Sequence, residues 1–245
     1  RALVERLPDH HLWRVELAGA LSDQGRLAEA ATELGRVLAA EPRHAPALFG
    51  LGVVADRQAH PAQAVASYQE ALRQDPFLAH AHNNLGRLLM GREAIDHFQQ
   101  AVKLEPDFAE ARYNLAGALV SLGHTEAAVA HLREAVRFQP GFAEAHFSLG
   151  AALAGMNQLE EAGSHLAQAA RLKPDWSDAH YNLGIVLSRQ GQYAKAADSY
   201  SEALRLRPNF AQAHNNLGKV LALQGKTAQA VAHFTRALEL QPNLA

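Results

Sequence analysis

A proline recurs at an almost constant interval along the chain. Most successive prolines of this series lie 34 residues apart, and one pair lies 30 residues apart. A fixed period of this size is typical of helical arrays, in which each unit buries its apolar face only by stacking on the next. Such arrays offer long open surfaces and no enclosed pocket, so the period favours the binding of another macromolecule. The prolines are Pro8, Pro42, Pro76, Pro106, Pro140, Pro174, Pro208 and Pro242.

The period divides the chain into seven repeats of a single solenoid over 1–245. Repeat 79–108 is four residues short, either because about one turn of 3.6 residues is deleted or because residues between Met90 and Glu93 are missing from the chain. Residues 1–10 are expected to end a preceding repeat, and we expect the chain to be part of a longer protein. The predicted repeats are 11–44, 45–78, 79–108, 109–142, 143–176, 177–210 and 211–244.

Apolar residues recur at fixed places inside each repeat. Leucine holds the seventh place of every unit, glycine or alanine holds the eighth, alanine holds the twentieth, and a large apolar residue follows four places later. Spacings of three and four residues put side chains on one face of a helix. Small residues let two helix backbones approach, and large residues of the neighbour fill the remaining space. Each repeat is therefore predicted to be a pair of packed helices.

A turn is predicted midway through each repeat. Glycine and asparagine tolerate the left-handed conformation that ends many helices. Thr125 and Thr227 are predicted to be N-caps of second helices, and Pro61 is predicted to lie in the first turn of one. The proline of the series then ends the second helix. The residues predicted to end first helices are Gly25, Gly123, Asn157, Gly191 and Gly225.

This pattern resembles the tetratricopeptide repeat family over nearly the whole chain. The resemblance implies an all-α fold, a right-handed α-α superhelix of about seven helix-turn-helix repeats. Two places depart from the family pattern. The family often has tryptophan at the fourth place and tyrosine at the eleventh, whereas this chain has mostly histidine or arginine at the fourth and leucine at the eleventh. Both departures keep a helix and a filled interface, so the expected fold is unchanged.

The family lines its concave groove with residues of the first helix of each unit. The fifth and sixth places carried over to this chain imply aromatic rings beside amide side chains. An amide can pair with the C=O and N–H of a peptide together, and rings add apolar contact area. We expect a protein or peptide in extended conformation to bind here; the alternative is that the asparagines are solvated helix-surface residues. The candidate partner-binding residues are Asn84, Asn114, Asn182, Asn216, Phe49, Tyr113, Phe147 and Tyr181.

The phrase Ala-His-x-Asn-Leu-Gly occurs three times, at 81–86, 179–184 and 213–218. It resembles the superhelical repeat region of O-GlcNAc transferase. This resemblance implies an alternative role, in which the chain is a non-catalytic arm that presents substrate proteins to a glycosyltransferase domain. A scaffold for periplasmic or outer-membrane assembly is a third alternative. A co-chaperone clamp for a C-terminal carboxylate is not expected, because it needs lysines at the second and fifth places, where this chain has none.

Composition argues against several other classes of partner. The formal net charge is −2 and both signs are spread along the chain, whereas nucleic-acid binding favours a basic stripe. No apolar run is long enough to span a membrane, so membrane insertion is not expected. The absence of cysteine excludes disulfides but leaves the compartment open. The excess of arginine over lysine, with much alanine, indicates a bacterial gene.

Neither catalysis nor a metal site is expected. Histidines at the same place in stacked helices lie about 8–10 Å apart, whereas a zinc–nitrogen bond measures about 2.0–2.1 Å. The periodic histidines therefore cannot share an ion across repeats. No nucleophile-elbow, phosphate-loop, zinc-protease or dinucleotide motif occurs, so we expect no enzyme activity and no cofactor. Both ends are expected to expose faces that another repeat would cover, so end-to-end self-association is a further expectation.

Overall fold

The computed structural model describes residues 11–243. These residues form fourteen α-helices and no strand, which confirms the all-α fold class. Contacts group the chain into two compact units, Arg1–His124 and Thr125–Ala245. The expectation for residues 1–10 lies outside the described residues. The division of the chain into seven repeats stays a prediction.

The first unit holds three pairs of helices and one further helix. In each complete pair the first helix has 13 residues and the second has 14, except that α5 has 10. The helices are α1 (His11–Asp23), α2 (Leu27–Ala40), α3 (Ala45–Arg57), α4 (Pro61–Gln74), α5 (Ala79–Leu88), α6 (Gly91–Leu104) and α7 (Ala109–Ser121).

The second unit begins with a single helix and continues with three pairs. First helices again have 13 residues and second helices 14. The helices are α8 (Thr125–Phe138), α9 (Ala143–Gly155), α10 (Leu159–Leu172), α11 (Ser177–Arg189), α12 (Tyr193–Leu206), α13 (Ala211–Leu223) and α14 (Thr227–Leu240). No helix of residues 11–243 is long and apolar enough to cross a membrane.

The two helices of a pair approach most closely where a glycine meets a large ring. A Cβ atom added to Gly52 would lie 2.5 Å from the ring of Tyr68, and one added to Gly184 would lie 2.6 Å from the ring of Tyr200. Both tyrosines are buried. The small eighth place and the large twenty-fourth place therefore meet, as their helical spacing predicts, and any larger residue at the eighth place would push the helices apart.

The turn inside each pair uses a left-handed residue. The predicted residues all have positive φ, and Ala59 takes φ 58° at the same place in repeat 45–78. For an L-residue other than glycine this conformation costs about 1–2 kcal/mol, so Ala59 shows that the turn geometry is imposed by the packing of the helices. The predicted residues with positive φ are Gly25, Gly123, Asn157, Gly191 and Gly225.

The two predicted threonine N-caps are wrong. α8 begins at Thr125 and α14 begins at Thr227, so each threonine is the first residue of its helix. In the second case the N-cap is Lys226, whose side chain makes no capping hydrogen bond. The N–H of Lys226 donates to Leu221 O at 2.9 Å and closes the turn. The same residue is the N-cap of α14. The prediction for Pro61 is confirmed, because α4 begins there.

The short repeat loses residues from both the helix and the turn. Its first helix, α5, has 10 residues where α3 has 13. Only Leu89 and Met90 connect α5 to α6, whereas three residues connect α3 to α4. Gly91, the first residue of α6, has φ 63°. Three helical residues and one turn residue account for the shortfall of four residues.

Candidate functional site

In the first unit, the asparagines of the first helices are linked to one another and to a carboxylate. Asn114 Nδ2 donates to Asn83 Oδ1 at 2.9 Å, and Asn83 Nδ2 donates to Glu110 Oε1 at 3.3 Å. Asn83 is only 1% exposed. Asn83 therefore links α5 to α7 through these two hydrogen bonds. The sequence pattern put Asn114 in the candidate site but left Asn83, its buried partner, out.

Asn84 has a different internal partner. Its Nδ2 donates to the Tyr68 hydroxyl oxygen at 3.4 Å, so it links α5 to α4. Burial raises the pKa of Tyr68 to about 12, and the nearby carboxylate of Asp56 adds to the rise. The phenol is therefore neutral at any physiological pH, and its oxygen accepts the hydrogen bond from the amide.

The second unit repeats this use of amides. Asn182 Nδ2 donates to the backbone oxygen of Asp178 at 2.8 Å, within the first turns of α11. Asn216 Nδ2 donates to the Tyr181 hydroxyl oxygen at 3.1 Å and so joins α13 to α11. Burial raises the pKa of both Tyr181 and Tyr200 above the usual value for a phenol. In both units, then, an amide links neighbouring helices, Asn84 and Asn114 in the first and Asn216 in the second, whereas Asn182 bonds within its own helix.

Each of the four candidate asparagines uses one N–H in these contacts. Asn84, Asn114, Asn182 and Asn216 are half-buried. An amide has two N–H donors and one oxygen acceptor, so Asn84, Asn114 and Asn182 keep a second donor and the oxygen for a partner. Asn216 also hydrogen-bonds Tyr200 and keeps its oxygen. The internal bond fixes the amide plane, and a fixed amide loses less conformational entropy when a ligand binds.

The candidate aromatic residues also pack internally. Phe147 lies against Trp176, with ring centroids 4.5 Å apart, and Tyr181 lies at the same distance from Phe210. Phe49 lies 5.8 Å from Tyr68 in the first unit. These rings and Tyr113 are half-buried. Part of the ring of Phe49, Phe147 and Tyr181 therefore packs inside the protein, which leaves the remaining part for a partner.

A second polar arrangement connects the two helices of a pair. Three histidine pairs have Nδ1 atoms 2.8–2.9 Å apart. One histidine of each pair stands at the fourth place of its repeat, and the other stands on the facing second helix. The pairs are His82 with His97, His146 with His165, and His214 with His233.

The proton positions in these pairs follow from a third contact. The Nε2 atoms of the fourth-place histidines lie 2.9–3.2 Å from the backbone oxygen of the proline six residues earlier. A carbonyl only accepts, so Nε2 carries the proton and Nδ1 is left as an acceptor. The Nδ1 of the second histidine must then donate. In His146 and His165, for example, both rings are neutral, and each histidine pair has one fixed tautomer for each ring.

Burial keeps these rings neutral. It lowers the pKa of five of the six histidines below the ordinary value. The charge that the facing ring would carry lowers the pKa of His97, His165 and His233 further. A pair supplies only two nitrogen ligands, and residues 11–243 contain no group of three or more side chains arranged to hold a metal. The pairs therefore act as structural hydrogen bonds.

The repeat period does not indicate these pairs. It relates the same place in successive repeats, where side chains are too far apart for contact. The places that meet are the fourth and the twenty-third of one repeat. They hold His146 and His165, or His214 and His233. The fourth-place residue in repeat 109–142 is Arg112, whose Nε donates to Pro106 O at 2.7 Å. Histidine and arginine therefore replace the family's tryptophan where an N–H donor must reach a loop carbonyl.

Comparison with protein families and solved structures identifies the repeat. One tetratricopeptide-repeat profile matches residues 1–41, 15–79, 49–92 and 181–245, and a second matches 90–152 and 119–184. Together they cover the whole chain. No curated protein matches it.

Several solved structures share the fold. YrrB, described as a tetratricopeptide-repeat protein with an unusual peptide-binding site, is 21% identical, with a TM-score of 0.69 over 74% of this chain and 95% of that chain. The C-terminal part of a repeat-containing protein from Cytophaga hutchinsonii is 14% identical, with a TM-score of 0.70 over 94% and 96%. A chain of the Cut9–Hcn1 hetero-tetramer is 18% identical, with a TM-score of 0.67 over 98% of this chain and 48% of that one.

These similarities fix the class of the fold. It is the helical repeat of protein-interaction scaffolds, which is generally non-catalytic. The identities lie below 25%, so the structures bear on architecture alone. The chain belongs to the tetratricopeptide repeat family.

Proposed function

We propose that this chain is a protein–protein interaction scaffold whose first-helix faces bind an extended segment of a partner. The single observation that carries the proposal is the state of four amides. Asn84, Asn114, Asn182 and Asn216 are half-buried and fixed by internal hydrogen bonds. Asn84, Asn114 and Asn182 each use one N–H in this way, and Asn216 bonds to Tyr181 and Tyr200, so the amide oxygens stay available as acceptors. Amides at the same place in two neighbouring repeats of one unit, Asn84 with Asn114 and Asn182 with Asn216, suit the regular C=O and N–H groups of an extended backbone.

The half-buried rings beside the amides support the same proposal. Phe49, Tyr113, Phe147 and Tyr181 present apolar area that is already ordered by internal packing. Apolar contact with pre-ordered rings adds affinity at low entropic cost. Two solved structures with the same fold are described as a peptide-binding protein and as a hetero-tetramer, which agrees with a role in binding proteins.

A peptide-display library selected on the purified chain tests the proposal. We expect binders whose affinity falls at least about tenfold when Asn114, Asn182 and Asn216 are changed together to alanine, since each lost hydrogen bond contributes about 0.5–1.5 kcal/mol. The matched control changes three exposed glutamines of second helices, Gln69, Gln99 and Gln229, to alanine. Circular dichroism checks that both variants fold. Unchanged affinity in a folded asparagine variant would contradict the proposed role of the amides.

A second candidate function is the substrate-presenting arm of an O-GlcNAc-transferase-like enzyme. The observation that favours it is the phrase Ala-His-x-Asn-Leu-Gly at 81–86, 179–184 and 213–218. The sequence of the parent gene beyond Ala245 tests this candidate. A nucleotide-sugar-binding α/β domain there supports the arm, whereas further repeats alone contradict it.

We also propose that copies of the chain associate through the outer face of α14. Val231 and Leu238 are 57% and 52% exposed there, whereas Val129 and Leu204 at the same places of α8 and α12 are 2% and 8% exposed. The repeat that follows covers this face elsewhere, so the first helices of a second copy suit it. Light scattering over a concentration series should show dimers that Leu238→Lys abolishes. A monomer at every concentration would contradict this proposal.

A further inference from the structure

The first two helix pairs enclose a small hollow that the sequence pattern did not predict. It lies between α1 and α3 and has a volume of about 250 Å³. Pockets for whole small molecules measure about 300–1,000 Å³, so this hollow is the size for a single side chain. Val15, Phe49 and Val53 form apolar walls, and Gly19 leaves space open, since a Cβ atom there would meet nothing within 4 Å.

A buried hydroxyl without a partner lies in the wall of this hollow. Ser22 is 5% exposed, and its Oγ has no hydrogen-bond partner in the structure. Leaving a buried hydroxyl unpaired costs about 1–3 kcal/mol. The backbone oxygen of Ser22 already accepts from the Arg57 guanidinium. A ligand that brings a polar group to the end of the hollow would supply the missing hydrogen bond.

The rim of the hollow is negatively charged. Arg57 Nη2 pairs with Asp23 Oδ1 at 2.8 Å, which leaves the Glu16 carboxylate without compensation among the charged groups that line the hollow. Glu16 holds the sixth place of its repeat, where the other repeats have asparagine, serine or glycine. The charge therefore distinguishes this part of the chain from every other repeat and favours a basic neighbour on the ligand.

We propose that this hollow binds one tyrosine side chain of a partner segment, with a lysine or arginine next to the tyrosine. The ring lies against Val15, Phe49 and Val53, the hydroxyl exchanges a hydrogen bond with Ser22 Oγ, and the basic group pairs with Glu16. This inference rests on the proposed function, because it names the residue of the bound segment that fixes its register.

Two glycines supply a filling variant and its matched control. Gly19 and Gly117 both hold the ninth place of a first helix, and a Cβ atom on either would meet nothing within 4 Å. Only Gly19 lines the hollow. Leucine at either position therefore fits sterically and favours the helix over glycine. Gly19→Leu fills the hollow, whereas Gly117→Leu adds the same side chain elsewhere in the first unit.

The test uses three tripeptides with blocked ends, Lys-Tyr-Lys, Lys-Phe-Lys and Glu-Tyr-Glu, titrated into the full chain labelled with ¹⁵N. We expect Lys-Tyr-Lys to shift the amide signals of Gly19, Ser22 and Gly50. Its affinity should fall at least about tenfold in Gly19→Leu, and by less than about twofold in Gly117→Leu. Lys-Phe-Lys should bind more weakly because it cannot reach Ser22 Oγ, and Glu-Tyr-Glu more weakly because of Glu16.

The outcomes separate this inference from the proposed function. If library-selected peptides bind but Gly19→Leu leaves their affinity and the tripeptide shifts unchanged, the hollow is not a side-chain site and the scaffold function stands. Equal affinity for Lys-Tyr-Lys, Lys-Phe-Lys and Glu-Tyr-Glu also overturns the inference. It would mean that Ser22 does not recognise the tyrosine hydroxyl and that Glu16 does not recognise the basic group. If neither the library nor any tripeptide yields binding, the inference and the proposed function both fail.

Discussion

The first and last repeats fill one structural place with opposite chemistry. We call this place the interhelix slot, the contact between the fourth and twenty-third residues of a repeat. In repeat 11–44 it holds Arg14 and Glu33, whose Nη1 and Oε2 atoms are 2.5 Å apart and whose side chains are 13% and 12% exposed. In repeat 211–244 it holds His214 and His233, joined through their Nδ1 atoms at 2.9 Å.

The comparison shows that two different pairs of complementary hydrogen-bonding groups can occupy the interhelix slot, although repeat 45–78 has Leu48 at the fourth place. One pair consists of two opposite charges, and the other consists of two neutral rings with fixed tautomers. The two solutions differ in how they respond to acid. A carboxylate paired with arginine keeps its charge near neutral pH, whereas an imidazole gains a proton close to neutral pH. Repeats with the histidine pair are therefore sensitive to mild acid, and repeat 11–44 is not.

The largest effect should come from breaking the ion pair on one side. Glu33→Leu leaves the guanidinium of Arg14 largely buried without its carboxylate, which we expect to lower the free energy of unfolding by about 3 kcal/mol. Arg14→Met should cost less, because Glu33 also pairs with Arg36 Nη1 at 2.6 Å. Urea unfolding followed by circular dichroism measures both changes.

The double variant supplies the control for this prediction. Changing Arg14 to methionine and Glu33 to leucine together removes both charges and keeps the volume. Its stability should return to within about 1 kcal/mol of the original chain, since apolar replacement of a buried pair is often neutral. A double variant as unstable as Glu33→Leu would show that packing, and not removal of the carboxylate beside Arg14, explains the loss of stability.

The sequence was sufficient to predict the helices and their closest contacts. Gly52 and Tyr68 illustrate why: the small and the large place each recur with helical spacing, so the register of a pair follows from residues near in sequence. The turn at Ala59 takes the same left-handed conformation without a glycine, which shows that the packing of the pair dominates over the preference of a single residue. Patterns repeated seven times leave little freedom in the fold.

The candidate site was less predictable, because its contacts depend on distances between repeats. Nothing in the spacing of Asn83 and Asn114 indicates that one amide donates to the other, or that Asn83 is buried. The histidine pairs are a similar case. His214 and His233 are nineteen residues apart on opposite sides of a turn, so no helical periodicity connects them. The hollow is lined by residues of two neighbouring repeats, and the Ser22 hydroxyl in its wall has no hydrogen-bond partner. Both features become visible only in the three-dimensional packing.

A smaller effect is expected from mild acid. The folded pKa of five slot histidines lies below the unfolded value of about 6.5, so the unfolded chain binds more protons as the pH falls. Their contribution is fully present above pH ~6.5 and is lost as the pH falls through the folded pKa values. The histidines are His82, His97, His146, His165 and His233.

The size of the acid effect is limited by solvent. Four of the five rings are half-buried and only His146 is buried, so screening holds the total loss to the order of 1 kcal/mol. Urea midpoints at several pH values between about 7.5 and 5 measure it. Carboxylates paired with arginine keep their charge over this range. A urea midpoint that does not change with pH would therefore show that the rings leave the interhelix slot before they take up protons.

The smallest effect should come from exchanging the two chemistries. His214→Arg combined with His233→Glu places the ion pair of repeat 11–44 in the slot of repeat 211–244, and Arg112 shows that arginine can also reach the proline carbonyl. We expect this double variant to lose about one fifth of the pH dependence, since His233 is one of the five histidines whose pKa is lowered and distant sites add nearly independently. The reciprocal double variant, Arg14→His with Glu33→His, should gain a similar amount. Urea midpoints at two pH values measure the pH dependence of both variants. If both exchanges leave it unchanged, the acid sensitivity lies outside the interhelix slot.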